Sequence, residues 1–417
     1  MAIWYINGGN RLEGACFVQG SKNAALPILA ASVISPAVSE LLNVPMLSDV
    51  DASLRILRYL GCTAEQQGND VYIDSGELRQ CSIPRELMER MRSSILFMGA
   101  LLARCGEVRL WAPGGCRLGS RPIDLHIKAM QALGAEVSEE GCEIVCRAVR
   151  LHGGRIELPF PSVGATENAM LAACGAEGET VIVNAAREPE IIDLQEYLRK
   201  LGAFITGAGS DTVYVSGFKA ERHVGHRISP DRIAASTFLC AAAAAGGDIE
   251  LRGLDPAEFL RLQHFLNAAG CVIIPTRRSV RLISDGRLHA VSGIETEPYP
   301  GFPTDAQPLL MAALLKAEGM STFTENIFDN RYLHTAELRR FGADISTEGR
   351  TATVWGVGSL KGTAVTATDL RGGAGMMIAA LSAEGRTTIA DSGHISRGYD
   401  RLDHRLRALG ADIYIEQ

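Results

Sequence analysis

The glycine-centred tripeptide that recurs along this chain constrains its fold more than any other feature. It appears as Leu60-Gly61-Cys62, Leu133-Gly134-Ala135, Leu201-Gly202-Ala203, Ala269-Gly270-Cys271, Phe341-Gly342-Ala343 and Leu409-Gly410-Ala411, with glycines 73, 68, 68, 72 and 68 residues apart. A fixed period of this length signals repeated supersecondary units, and 417 residues hold six of them. Each glycine follows helically spaced apolar residues, such as Leu194, Tyr197, Leu198 and Leu201, and precedes an alternating run. That order predicts a Gly-capped helix leading into a strand. Second strands beginning at Asp70, Glu143, Thr212, Ser279 and Thr351 complete predicted hairpins.

Every unit also carries a helix rich in small residues, beginning near Ser93, Glu167, Ala234, Ala306 and Gly373, with a sixth in NAALPILAA from Asn23. So many Ala and Gly imply helices packed closely on all sides. The last unit ends one strand short at ADIYIEQ, and the opening IWYING supplies a match for the missing strand. Both ends then share one domain, the units group three plus three, and the chain crosses twice between domains.

The segments ahead of the small-residue helices hold Lys22, Arg92, Arg232 and Arg371 among Ser, Thr, Asp and Asn residues. Ser, Thr, Asp and Asn there read as N-caps. The recurring cations beside helix N-termini also suit an anion site. A further segment, Trp111 to Pro122, sets Cys116 among three Gly, two Pro and two Arg, which predicts a loop thiol whose pKa the neighbouring Arg117 lowers. The other nine cysteines read as small buried hydrophobes, and the absence of CxxC pairs predicts free thiols in a reducing cytoplasm. No HExxH or Cys/His spacing points to a metal, and neither GxGxxG nor GxxxxGK[ST] is present.

Net charge is −7 without long like-charge runs, which argues against nucleic-acid or membrane-surface binding. The longest apolar stretch, Phe238 to Ala245, is too short to span a bilayer, and the start lacks signal-peptide features.

GSKNAALPILAA from Gly20, PGGCRLGSRPIDLHIKAMQALGAEV from Pro113, PSVGATEN from Pro161, NAAREPEIIDL from Asn184, YPGFPTDAQ from Tyr299, TENIFDNRYLHTAELRRFGADI from Thr324, and DLRGGAG with HISRGYDRLDHRLRALGADI near the end resemble, collinearly, the enolpyruvyl transferases acting on UDP-N-acetylglucosamine. The resemblance implies an α/β, two-domain enolpyruvyl transferase fold, an inside-out α/β barrel of six βαβαββ-type repeats, three per domain. It implies one domain of residues 1–21 with 230–417, another of 22–229, and an active site in the cleft between them.

The implied chemistry moves the enolpyruvyl group of phosphoenolpyruvate onto the 3′-hydroxyl of UDP-N-acetylglucosamine, releasing phosphate by addition and elimination, as the first committed step of peptidoglycan synthesis. No cofactor is implied. Cys116 matches the general acid and fosfomycin-alkylated thiol, and Asp305 the carboxylate receiving the sugar proton, although Asp305 also reads as a helix cap after Pro303. Lys22, Arg121 and Arg397 match the groups holding phosphoenolpyruvate, with Asn23 and Arg371 nearby. Arg92, Arg121, Pro122, Ile123, Asp124, Leu125, Ser162, Val163, Gly164, Asp305 and Ile327 match the nucleotide-sugar surface. The same fold acting on shikimate 3-phosphate is disfavoured by the loop Cys and the SVGATEN and RPIDLH stretches. A paralogue using a related nucleotide sugar and a non-catalytic nucleotide-sugar-binding regulator are the other readings. The regulator is disfavoured because Cys116, Asp305, Lys22 and Arg397 are all present.

Overall fold

A computed structural model describes residues 2–113, 123–140, 143–218 and 223–416. All six marker glycines take left-handed backbone, with φ between 88° and 112°. A residue with a Cβ is strained there. Each lies just beyond an amphipathic helix, as Gly202 does after Pro189–Leu201, and turns the chain into a strand.

Among the described residues the strands form six four-stranded sheets and one two-stranded pair. In each four-stranded sheet a parallel edge strand pairs with a strand that itself pairs antiparallel with the third, and the third pairs antiparallel with the fourth. The predicted hairpins are Thr63–Gln67 with Asp70–Asp74, Glu136–Glu140 with Glu143–Arg147, Ala203–Thr206 with Thr212–Phe218, Val272–Pro275 with Ser279–Ser284, and Asp344–Glu348 with Thr351–Trp355. The sixth unit is completed as expected, because Ala2–Asn7 lies between Arg386–Asp391 and Asp412–Glu416 and pairs antiparallel with both.

The small-residue helices are α1 (Lys22–Ala31), α2 (Phe97–Cys105), α3 (Val163–Ala173), α4 (Arg232–Ala245), α5 (Gln307–Ala313) and α6 (Leu370–Ser382). Two compact units result. One comprises the described residues between 20 and 229, with α1, α2 and α3 in a single apolar core. The other comprises residues 2–19 with 230–416, built around α4, α5 and α6.

Small residues let these helices approach closely. A Cβ on Gly99 of α2 would stand 2.4 Å from the Asn168 carbonyl oxygen of α3. In the other unit a Cβ on Gly375 of α6 would meet the Pro308 carbonyl oxygen of α5 at 2.9 Å.

An exchange of edge strands at the crossovers escapes the sequence reading. Leu12–Phe17 leads into α1 in the chain yet pairs parallel with Gly247–Arg252, within the unit of residues 2–19 and 230–416 rather than that of α1. Val224–Arg227 precedes α4 yet pairs parallel with Val38–Leu42.

Two expectations are corrected. Helices α3 and α6 begin at Val163 and Leu370, earlier than predicted, so Gly164 and Arg371 belong to first turns. Cys81 and Cys105 form a disulfide rather than free thiols. They lie 24 residues apart in sequence, but the fold brings their Cα atoms to 6.5 Å, within bridging range. Cys62, Cys146, Cys174, Cys240 and Cys271 are buried, and Cys16 is half-buried. No helix among the described residues is long and apolar enough to cross a membrane.

Candidate active site

The candidate residues fall in both units, and each group is built on helix starts. In the unit of residues 20–229, Ser21 caps α1, its Oγ accepting from the Ala24 N–H at 3.3 Å. Lys22 and Asn23 follow in the first turn. Lys22 Nζ donates to Asp49 Oδ2 at 3.2 Å, with side chains only 12% and 4% exposed. A buried carboxylate therefore aims the ammonium group.

Arg92 opens the 3-10 turn Arg92–Leu96 that runs into α2. Asn168 of α3 organises this region. Its Oδ1 accepts the Gly99 N–H at 2.7 Å, satisfying one of the amides that a helix start leaves without an intrahelical partner. Its Nδ2 donates to the Ile95 carbonyl and to His126 Nδ1, each at 2.9 Å. His126 thus accepts at Nδ1, and a neutral ring carries its proton on Nε2. Burial, assisted by the Arg92 charge, pushes the His126 pKa down to about 4.

Gly164 backs onto this ring, since a Cβ there would lie 3.2 Å from His126 Cε1. Ser162 caps α3, with Oγ 3.4 Å from the Ala165 nitrogen, and Val163 begins the helix. Ile123 and Leu125 are half-buried and Asp124 is exposed, flanking the start of the helix Asp124–Ala132. Arg92, His126 and Gly164 are thereby neighbours. Cys116, Arg121 and Pro122 lie outside the described residues.

The second group surrounds Asp305. Asp369 caps α6 by accepting from the N–H groups of Arg371 and Gly372, and Asp231 caps α4 by accepting from those of Ile233 and Ala234. Asp305 does not act as a cap. It lies in the 3-10 turn Thr304–Ala306, which has no side-chain cap, and its carboxylate meets two guanidinium groups. Arg331 Nη2 donates to Oδ1 at 2.8 Å, and Arg371 Nε donates to Oδ2 at 3.1 Å. Burial opposes charge on Arg371, but Tyr399, Asp305 and Asp231 together raise its pKa above the ordinary arginine value.

Glu325 fixes the neighbouring loop. It accepts from Thr304 Oγ1 at 3.0 Å and from the backbone N–H groups of Ile327 and Phe328 at 2.9 Å. Arg397 ends the 3-10 turn Ile395–Arg397, which Asp391 holds by accepting from Gly393, His394 and Ile395 N–H groups.

The structure thus brings Asp305 to Arg371, and Ile327 to their supporting turn through Glu325. Asp49, Asn168, His126, Glu325, Arg331 and Asp369 escape the sequence reading of function. Their partners lie at distances along the chain that follow no motif spacing. The recurring position ahead of each small-residue helix is the one available signal, and it covers Asp369 alone.

One unit presents a buried, aimed lysine, which suits an anionic ligand, and the other an ionisable carboxylate pinned between cations, which suits proton transfer. Residues 6–406 match the EPSP synthase (3-phosphoshikimate 1-carboxyvinyltransferase) family. The chain is 47% identical to UDP-N-acetylglucosamine 1-carboxyvinyltransferase 2 of Caldanaerobacter subterraneus subsp. tengcongensis, over 99% of both chains. It is 46% identical to the UDP-N-acetylglucosamine 1-carboxyvinyltransferase of Geobacter metallireducens, over 98% of both. Among solved structures it is similar to the enolpyruvyl transferase NikO from Streptomyces tendae, with a TM-score of 0.89 and 26% identity over 99% of this chain and 98% of that one. It shares its fold with EPSP synthase from Acinetobacter baumannii, with a TM-score of 0.77 and 18% identity over the full length of both chains. With relatives this similar over nearly its whole length, the chain belongs to the UDP-N-acetylglucosamine 1-carboxyvinyltransferases, a branch of the enolpyruvyl transferases.

Proposed function

We propose that this protein transfers the enolpyruvyl group of phosphoenolpyruvate to the 3′-hydroxyl of UDP-N-acetylglucosamine with release of phosphate, opening peptidoglycan synthesis. The pinned Asp305 carboxylate carries this reading, in a chain whose close relatives bear the name of that activity. Cys116 donates a proton to C3 of phosphoenolpyruvate, and the electron-deficient C2 takes the sugar oxygen. Asp305 accepts the proton of that hydroxyl. Return of a C3 proton to the Cys116 thiolate and departure of phosphate then form the enol ether of the product.

Lys22, Arg121 and Arg397 hold the phosphate and carboxylate of phosphoenolpyruvate, with Asn23 and Arg371 beside them. Cationic groups in these places stabilise negative charge that grows on the leaving phosphate. Arg92, Arg121 to Leu125 and Ser162 to Gly164 bind the nucleotide sugar, and Asp305 and Ile327 touch its sugar ring. Asn168 supports this binding surface, because it holds both the turn after Arg92 and the His126 ring. A cytoplasmic site accords with two soluble anionic substrates. The two units supply distinct residues, with Lys22 in one and Asp305 and Arg397 in the other.

Phosphate release by the purified protein tests the proposal. Release should require phosphoenolpyruvate together with UDP-N-acetylglucosamine and should vanish in Cys116→Ala. Release with shikimate 3-phosphate alone as acceptor would move the protein to another reaction of its fold, and none with either acceptor would reject the activity.

A further inference from the structure

Arg331 has 0% side-chain exposure, so it cannot touch a substrate, yet its guanidinium group grips one oxygen of Asp305. Nε donates to Thr304 Oγ1 at 3.0 Å, and Nη1 stands 3.9 Å from Asp369 Oδ1. The guanidinium carbon lies 5.0 Å from the centre of the Phe328 ring. Thr304 in turn donates to Glu325, so a chain of contacts runs from a buried carboxylate through Thr304 and Arg331 to Asp305.

Arg371 grips the opposite oxygen. With Oδ1 and Oδ2 bound by different cations, the plane of the Asp305 carboxylate is fixed. A carboxylate offers about four acceptor sites, more than these two contacts use.

A buried arginine is expensive unless its charge is used. Packing alone would be served by an apolar side chain of similar length. From these contacts we infer that Arg331 is a positioning residue for the transfer reaction, whose fixed charge orients Asp305 and keeps it ionised while it waits for the sugar proton. This inference rests on Asp305 being the base.

The charged and titratable groups around Asp305 include Arg331, Arg371, Asp369, Asp231 behind Arg371, Tyr399 under Arg371, Glu325 behind Thr304, and His334. His334 Nδ1 donates to the Arg331 carbonyl at 2.9 Å, and burial pushes its pKa down to about 4, so it is neutral across the working range. Arg331 and Arg371 are thus two cations in direct contact with Asp305.

The test measures kcat and KM against pH for the full-length wild type, Arg331→Met, Arg331→Lys and Asp305→Asn, with phosphate release as readout and thermal unfolding as a folding control. Arg331→Met should lower kcat about 10²-fold, the usual scale for a misplaced catalytic group, with both KM values within about threefold. Loss of one adjacent cation should also move the acidic limb of the kcat profile upward by about one pH unit. Arg331→Lys keeps the charge in a different shape and should leave the limb in place with an intermediate kcat.

Unchanged kcat in Arg331→Met, or an equal loss in both Arg331 variants with an unmoved limb, would overturn the inference and leave Arg331 a packing residue. If Arg331→Met does not fold, a shifted limb in Arg331→Lys would overturn it alone. Wild-type activity in Asp305→Asn would instead reject Asp305 as base, separating that failure from this one.

Discussion

Acidification should weaken the unit of residues 20–229 through a single imidazole. His126 is buried beside Asn168 with its pKa lowered from 6.5 to about 4, whereas in the unfolded chain it titrates near the ordinary value. A group whose pKa is depressed by folding contributes stability that is present above its unfolded pKa and lost as pH falls towards the folded one. The window is therefore pH 6.5 down to about 4. Each pH unit between those values is worth about 1.4 kcal/mol, so about 3 kcal/mol disappears across the window.

His126→Gln removes the titration while its side-chain oxygen can still accept from Asn168. Urea unfolding followed by fluorescence measures the effect, because Trp111 is the one tryptophan in this unit and Trp4→Phe with Trp355→Phe silences the other. The stability difference between His126 and the Gln variant should change by about 3 kcal/mol from pH 7 to pH 4. Contributions from all other groups cancel in that difference. A difference independent of pH, or an imidazole seen by NMR to titrate near 6.5, would refute the reasoning.

Other perturbations have equally direct outcomes. Burial, then Glu190 and Glu188, push the Glu167 carboxyl well above its ordinary value of 4.5; its stabilisation is present below that value and lost as pH rises above it, so Glu167→Gln should flatten the fall in melting temperature that sets in above pH 4.5. Gly99→Ala forces a methyl group against the Asn168 carbonyl and should cost about 1–3 kcal/mol in unfolding experiments, with weakened nucleotide-sugar binding as the turn after Arg92 shifts. Reducing Cys81–Cys105 frees a loop closed over 24 residues and should lower unfolding stability by about 3 kcal/mol, an effect that Cys81→Ser abolishes.

Local patterns made much of the fold readable. The marker glycines, the hairpins and the small-residue helices follow from propensities and periodicities within single units, as does the capping by Ser21, Ser162, Asp231 and Asp369. The exchange of Leu12–Phe17 and Val224–Arg227 was not readable, because an edge strand carries no mark of the sheet it joins.

At the site, Asp305 and Lys22 stood out through their motifs. The groups that aim them, Arg331 and Asp49, sit 26 and 27 residues away and are chosen by tertiary packing alone. Cys81 and Cys105 were opaque for the same reason.

The strand Ala2–Asn7 has one further consequence, for synthesis on the ribosome. Its register pairs Ala2 with Asp391 and Ile3 with Glu416, so this strand is translated long before either of its neighbours. The unit of residues 20–229 can close its core once Val224–Arg227 emerges. The strand Ala2–Asn7 must meanwhile remain an unpaired edge, open to pairing with other chains, through the translation of nearly four hundred residues. A nascent chain stalled once residue 229 has cleared the ribosomal exit tunnel should show one protease-resistant unit and a cleavable arm ahead of residue 20.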